Sequence, residues 1–287
     1  NKGLLLTSLG SFWWGFIGVI YFQYVSFIGH VELVVHRCLW TAIMLIFTTT
    51  LFSKWKLFLI TCSNKSYLFN LFISGFLIFI NWAVWIYAVA TDRIIDASFG
   101  YFIMPILSVL LGYIFFKENL NRKRTFSILL VLISITILVF FNLKDLPWVG
   151  LIVALSWAFY NLIRKKINVD TDIGLLIESL YILPFAIITF YFITKNGFND
   201  FSFSNIELSL LLILAGPMTV IPLFLYVRGV ELIGLGPTGM IFYITPTLQF
   251  ILGYFYYNEE FSLVKFLSFV IIWIAVIIYL KDLYENN

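Results

Sequence analysis

Apolar residues follow one another in runs of about 20, each long enough to cross a hydrocarbon core of roughly 30 Å, with short polar stretches between them. The runs fall at about 3–22, 32–52, 66–90, 94–116, 124–142, 148–164, 172–194, 206–229, 234–257 and 262–281. They are continuous and lack the alternation of a lipid-facing strand. In lipid the backbone has to satisfy its own hydrogen bonds, so this pattern predicts helices and not a barrel. The expected architecture is an all-α polytopic membrane protein with ten transmembrane helices.

Composition agrees with the pattern. Of 287 residues, 62% are hydrophobic and 11% charged, against roughly a quarter charged in soluble domains. The first run reads as a permanent span and not as a signal peptide. The net charge of +3 gives no support to nucleic-acid binding, because the basic residues sit in short connections, where they report orientation. Counting alternate connections puts thirteen Lys and Arg residues on one side and four, Arg93, Lys144, Lys195 and Lys265, on the other. Both termini are therefore predicted to be cytoplasmic, which requires an even number of spans. The runs Arg122-Lys123-Arg124 and Arg164-Lys165-Lys166 read as topology anchors or contacts to anionic headgroups, with no substrate role. Cys38, in a predicted span, and Cys62, in a predicted loop, read as free thiols, with no disulfide, metal site or cofactor implied.

The chain also repeats itself. At an offset of 141 residues, 103–118 (IMPILSVLLGYIFFKE) overlies 244–259 (ITPTLQFILGYFYYNE), with Pro105/Pro246, Gly112/Gly253, Tyr113/Tyr254 and Glu118/Glu259 in one register. Apolar composition alone does not place Pro, Gly, Tyr and Glu together. The predicted units are 1–143 and 144–287, five helices each. An odd number of spans per unit makes the second copy enter from the opposite side, and inverted repeats of this kind recur in secondary transporters whose site lies between the halves.

These motifs resemble the drug/metabolite transporter superfamily, specifically its EamA-domain members and among those the RarD-like proteins. The resemblance is carried by His36-Arg37, Asn81-Trp82, the run 97–102 (ASFGYF), Phe159-Tyr160 followed by Arg164-Lys165-Lys166, Ile177-Glu178 and Pro246-Thr247-Leu248. It implies a ten-helix inverted-repeat fold in the bacterial inner membrane and export or exchange of small, often amphipathic metabolites or drugs.

Arg37 and Glu178 are the sharpest candidates for chemistry, because a charge inside a span is costly and marks a functional site by default. They occupy equivalent positions at the 141-residue offset, so inversion separates them in depth by about 10 Å, given 1.5 Å of rise per residue. Two charged poles are therefore expected, not a salt bridge: Arg37 for a carboxylate-like group, Glu178 for an amine or a coupling proton. His36 faces a different direction from Arg37 and is expected to pack. Trp82, Tyr101 and Tyr243, within or beside the matched motifs, are expected to offer π faces to a cargo. Asn81 and Gln249 add hydrogen-bonding groups that serve either a ligand or helix association. Pro105 and Pro246 are expected to kink their helices. Arg228 and Glu231 are spaced to pair, and Glu118 and Glu259 to brace helix ends.

The reading that unites these features is a secondary transporter of a small-molecule substrate, surrounded by membrane lipids and coupled to an ion, with the proton as the candidate. No GxxxxGK[ST] motif is present for ATP binding, and no HExxH or GxSxG motif for enzymatic chemistry. A channel or a structural membrane protein is the competing class.

Overall fold

In the computed structural model, which describes residues 2–90, 94–142, 148–202, 204–256 and 262–286, all regular structure is helical. In chain order the elements are α1 (Lys2–Tyr24), α2 (His30–Leu51), α3 (Trp55–Ser63), α4 (Lys65–Ala90), α5 (Ile94–Phe116) and α6 (Arg122–Asn142). They continue as α7 (Trp148–Lys166), α8 (Thr171–Lys195), α9 (Ile206–Ile233), α10 (Leu235–Ile241), α11 (Ile244–Phe255) and α12 (Leu263–Glu285). Among the described residues, seven helices are long and apolar enough to cross a membrane: α1, α2, α4, α6, α8, α9 and α12. A shorter apolar stretch, Gly100–Phe116, lies in α5. Phe47, Phe69, Phe140 and Phe185 are among the many large apolar side chains left exposed. That outer surface suits lipid and not water, so the chain is a multi-pass membrane protein.

Three local features depart from the pattern of plain runs. The stretch expected as a loop after the second run contains the short helix α3, which carries Cys62. Inside α1, Trp13–Gly18 form a π-helical turn. The ninth run is not one helix: it stops after Ile241 and resumes at Ile244. Pro246 explains the break, since it has no N–H to offer the Phe242 carbonyl four residues back. That carbonyl instead accepts from the Thr245 amide at 2.9 Å, closing a tighter turn. Pro105, its counterpart by sequence, lies within an uninterrupted α5.

The start of α10 is fixed from another helix. Glu118, just beyond α5, accepts from the Leu235 and Gly236 amides at 2.7 and 2.8 Å, placing a carboxylate on amides that have no acceptor within their own helix. Gly112, Gly234 and Gly236 leave the room this carboxylate occupies, and Gly234 takes a left-handed φ of +92°. Glu118 thus braces the ninth run and not its own helix. Its expected counterpart, Glu259, lies outside the described residues.

The bundle is built from a few close pairs. α1 and α2 both pack on α9, α4 packs on α7 and α8, and α5 packs on α7 and α10, with α2 on α8 and α6 on α12. The main core gathers Trp82, Met104, Trp157, Tyr160, Leu176, Tyr226 and Phe242 at the centre of these crossings.

Candidate functional site

Arg37 projects from α2 into the protein and is only 7% exposed. Its Nε donates to Thr219 Oγ1 on α9 at 2.9 Å, and the Thr219 hydroxyl donates onward to the Ala215 carbonyl at 2.8 Å. The guanidinium carbon lies 4.4 Å from the ring centre of Trp82 on α4 and 5.3 Å from that of Phe22 on α1. Aromatic faces attract a cation, the more so where water is excluded. Among the described residues no carboxylate lies within ion-pair distance of Arg37. A buried cation without a counter-charge is the unusual feature here, since buried charges are ordinarily paired.

A small cavity opens beside this group at the crossing of α2, α4, α8 and α9. Cys38, Thr41, Trp82, Glu178, Ser179 and Val220 are among its lining residues. Thr41 is buried, and its hydroxyl has no hydrogen-bond partner among the described residues. Glu178 forms the opposite pole. Its Oε1 accepts from Ser74 Oγ at 2.5 Å, its Oε2 accepts from the Tyr160 hydroxyl at 3.2 Å, and Arg164 Nη1 approaches Oε1 at 3.4 Å. Arg37 and Glu178 do not pair with one another: the Glu178 carboxylate is taken by Ser74, Tyr160 and Arg164.

Arg164 corrects the sequence reading. A basic run at a helix end was expected to be an anchor, but Arg164 is 1% exposed and turns inward. It reaches Glu178, the Thr171 carbonyl at 3.1 Å and Glu231 Oε1 at 3.5 Å. Glu231 is held in turn by the Thr171 hydroxyl at 2.5 Å and by Arg228 at 2.9 Å, the pair expected from their spacing. The Lys165 ammonium adds a 2.7 Å bond to the Glu231 carbonyl. Gly174 on α8 supplies the space for the Arg164 guanidinium, which a β-carbon there would strike. A cluster of two carboxylates and three cations therefore closes one end of α7, α8 and α9, with Glu178 linking it to the cavity.

The remaining candidates divide by what their polar atoms do. Trp82 lies directly on the cavity. The Asn81 amide donates to the Val153 carbonyl at 2.8 Å and to Ser156 Oγ at 3.1 Å, so it ties α4 to α7. The Tyr243 hydroxyl donates to the Phe102 carbonyl at 2.8 Å, fixing the break in the ninth run to α5. Tyr101 leans on Phe242 with ring centres 5.9 Å apart. Gln249 on α11 is half-buried and is not among the residues lining the cavity. His36 packs as expected, away from Arg37: it accepts from Trp40 Nε1 at 3.2 Å, lies 3.5 Å from Glu32 and is covered by Phe201. Among the described residues no group of His, Cys, Asp and Glu is arranged to hold a metal ion.

The fold and the site define a multi-pass helical membrane protein with buried charges beside a small internal cavity. The chain belongs to the EamA-like transporter family, whose model matches residues 1–140 and 147–281. It is 32% identical over 282 residues to Protein RarD of Escherichia coli (strain K12), covering 98% of this chain and 95% of that protein. It is 33% identical over 283 residues to an uncharacterized transporter of Vibrio cholerae, covering 98% of this chain and 93% of that one. An uncharacterized transporter of Bacillus subtilis, YojE, is 31% identical over 97% of this chain and 93% of its own length. A solved crystal structure aligns over 97% of both chains with a TM-score of 0.73 at 14% identity, a likeness of fold. The chain is a membrane transporter of this family.

Proposed function

We propose that the protein is a secondary carrier, working by alternating access between two inverted five-helix halves in a bacterial inner membrane, with both termini cytoplasmic. Its cargo is a small amphipathic compound bearing a carboxylate, such as an amino acid or its derivative. The observation that carries this reading is Arg37: a buried guanidinium over Trp82, beside a cavity, with no carboxylate of the described residues to neutralise it. A carboxylate on the cargo supplies the missing charge, and a planar guanidinium suits bidentate recognition of that group. The free Thr41 hydroxyl adds a polar contact on the same wall. At the far wall, Glu178 serves an amine of the cargo or a coupling proton.

Two observations support the inverted arrangement. The family match falls in two stretches on either side of residues 141–146. The packing also maps onto itself when α1, α2, α4, α5 and α6 are exchanged with α7, α8, α9, the α10–α11 pair and α12: α1 on α9 becomes α7 on α4, and α2 on α9 becomes α8 on α4. With the short α3 set aside, the exchange pairs ten spans.

Reconstitution in liposomes tests the function. Flux of amino acids, amines, aromatic carboxylates and amphipathic drugs is measured for the wild type, Arg37→Ala, Arg37→Lys and Glu178→Gln. The expected result is a carboxylate cargo whose flux is accelerated by the same compound on the far side, is lost in Arg37→Ala and is weakened in Arg37→Lys. Carriage of amines alone, or flux indifferent to Arg37→Ala, would remove Arg37 from the binding site. Flux without acceleration from the far side would point to a channel.

A further inference from the structure

A second group of unpaired polar atoms lies outside the Arg37 cavity. Asn161 on α7 is 1% exposed, and neither its amide nitrogen nor its amide oxygen has a hydrogen-bond partner among the described residues. Trp157 and Arg164, four residues before and three after, lie on the same stripe of the helix. Arg164 Nε is likewise buried with no acceptor among the described residues. Buried amides are nearly always bonded, and leaving both ends of one unmade lowers stability. An apolar residue of similar volume would avoid that loss, so the amide needs another reason to be there.

The surroundings point to a ligand. Trp157 meets Trp14, on the π turn of α1, with ring centres 5.2 Å apart, and meets Tyr226 at 5.6 Å. Phe242, at the break in the ninth run, lies 5.5 Å from Tyr226. π turns inside α-helices are frequent at functional sites, and broken helices line transport sites in membrane proteins. Both irregularities converge on the aromatic group beside Asn161.

We propose that Asn161 is a cargo-recognition residue on the cytoplasmic half of the transport path, in a site that is closed in this conformation. Its amide N–H, with Arg164 Nε, takes the carboxylate of an amino- or hydroxy-carboxylate. Its amide oxygen accepts from the neighbouring ammonium or hydroxyl, and Trp157 and Trp14 receive the apolar body. The inference rests on the carrier reading, because the cargo held near Arg37 reaches Asn161 only when the cytoplasmic side opens.

The test uses the full-length protein. Asn161→Leu is compared with the wild type for melting temperature in detergent and for flux of phenyllactate in liposomes. Asn161→Cys, in a Cys38→Ala, Cys62→Ser background, is treated from the cytoplasmic face with a small impermeant methanethiosulfonate. The expected results are a higher melting temperature with about tenfold or greater loss of flux for Asn161→Leu, and labelling of Asn161→Cys that phenyllactate slows. A lower melting temperature would make the amide structural and overturn the proposal. So would a cysteine that stays unlabelled, or labelling indifferent to phenyllactate. Flux indifferent to Arg37→Ala, with the Asn161 results as expected, would instead overturn the reading of the Arg37 cavity.

Discussion

Arg37 and Arg164 are both buried arginines, and they are held in opposite ways. Arg164 sits between two carboxylates, Glu178 and Glu231, with a backbone carbonyl as a third acceptor. Arg37 has one hydroxyl and two aromatic faces. The first arrangement has its charge balanced within the protein, with only Nε left unbonded among the described residues; the second lacks an anion among them. On the proposed reading, the charge of the first is met by the fold and that of the second by the cargo. Removing Arg164 should leave Glu178 without a cation, while Glu231 keeps Arg228, and breaking a buried pair in this way costs about 3–5 kcal/mol. Removing Arg37 strands no carboxylate, and an apolar replacement of similar volume is often neutral. Arg164→Met is thus expected to lower the unfolding free energy in detergent by about 3–5 kcal/mol, while Arg37→Met stays within about 1 kcal/mol of the wild type yet loses flux. Equal destabilisation by the two would erase the distinction.

The seat of Arg164 gives a finer test. A β-carbon at Gly174 would collide with the guanidinium, so Gly174→Ala must push Arg164 away from its carboxylates. Overpacking of this kind costs about 1–3 kcal/mol. In Arg164→Ala the obstruction is gone, and adding Gly174→Ala should then cost little. The coupling between the two substitutions, measured as a double-mutant cycle of thermal unfolding, is expected to be about as large as the cost of Gly174→Ala alone. Additive effects would mean that Gly174 serves the helix and not the arginine.

How much of this was legible in the sequence follows from what surrounds each residue along the chain. Arg37 and Glu178 stand out because each is a lone charge in an apolar run. Arg164 does not, because it opens a basic run at a helix end and resembles an anchor; its partner Glu231 is 67 residues away. Asn81 was visible as a hydrogen-bonding group and Tyr243 as an aromatic face, but that they tie α4 to α7 and the ninth run to α5 depends on which helices pack together. Asn161 and Thr41 gave no signal, since one Asn or Thr in an apolar run has no local context to mark it as unpaired. The apolar runs marked the helices well. The break after Ile241 was legible only as a proline, and Pro105 shows that a proline alone does not decide between passage and interruption. Glu118 was legible as a brace, but the three glycines that receive it come from two different runs.

The smallest effect is expected where the same kind of contact sits at the surface. Lys54, just before α3, reaches Asp172 at 2.8 Å and Asp170 at 3.2 Å, with its side chain 33% exposed. Partial burial opposes its charge, but the hydrogen bond and attraction of Asp172, then of Asp170, outweigh that and hold the ammonium above its ordinary value. A raised lysine contributes stability that is fully present below the ordinary lysine value and is lost as pH rises through the raised one. Solvent screens the pair, so its contribution is at most about 1 kcal/mol. Lys54→Met should therefore lower the melting temperature slightly at neutral pH, and the gap to the wild type should narrow as pH rises through the lysine range. A gap as wide as that for Arg164→Met would show that burial is not what separates the two contacts. A gap that widens with pH would mean that the lysine charge opposes folding there.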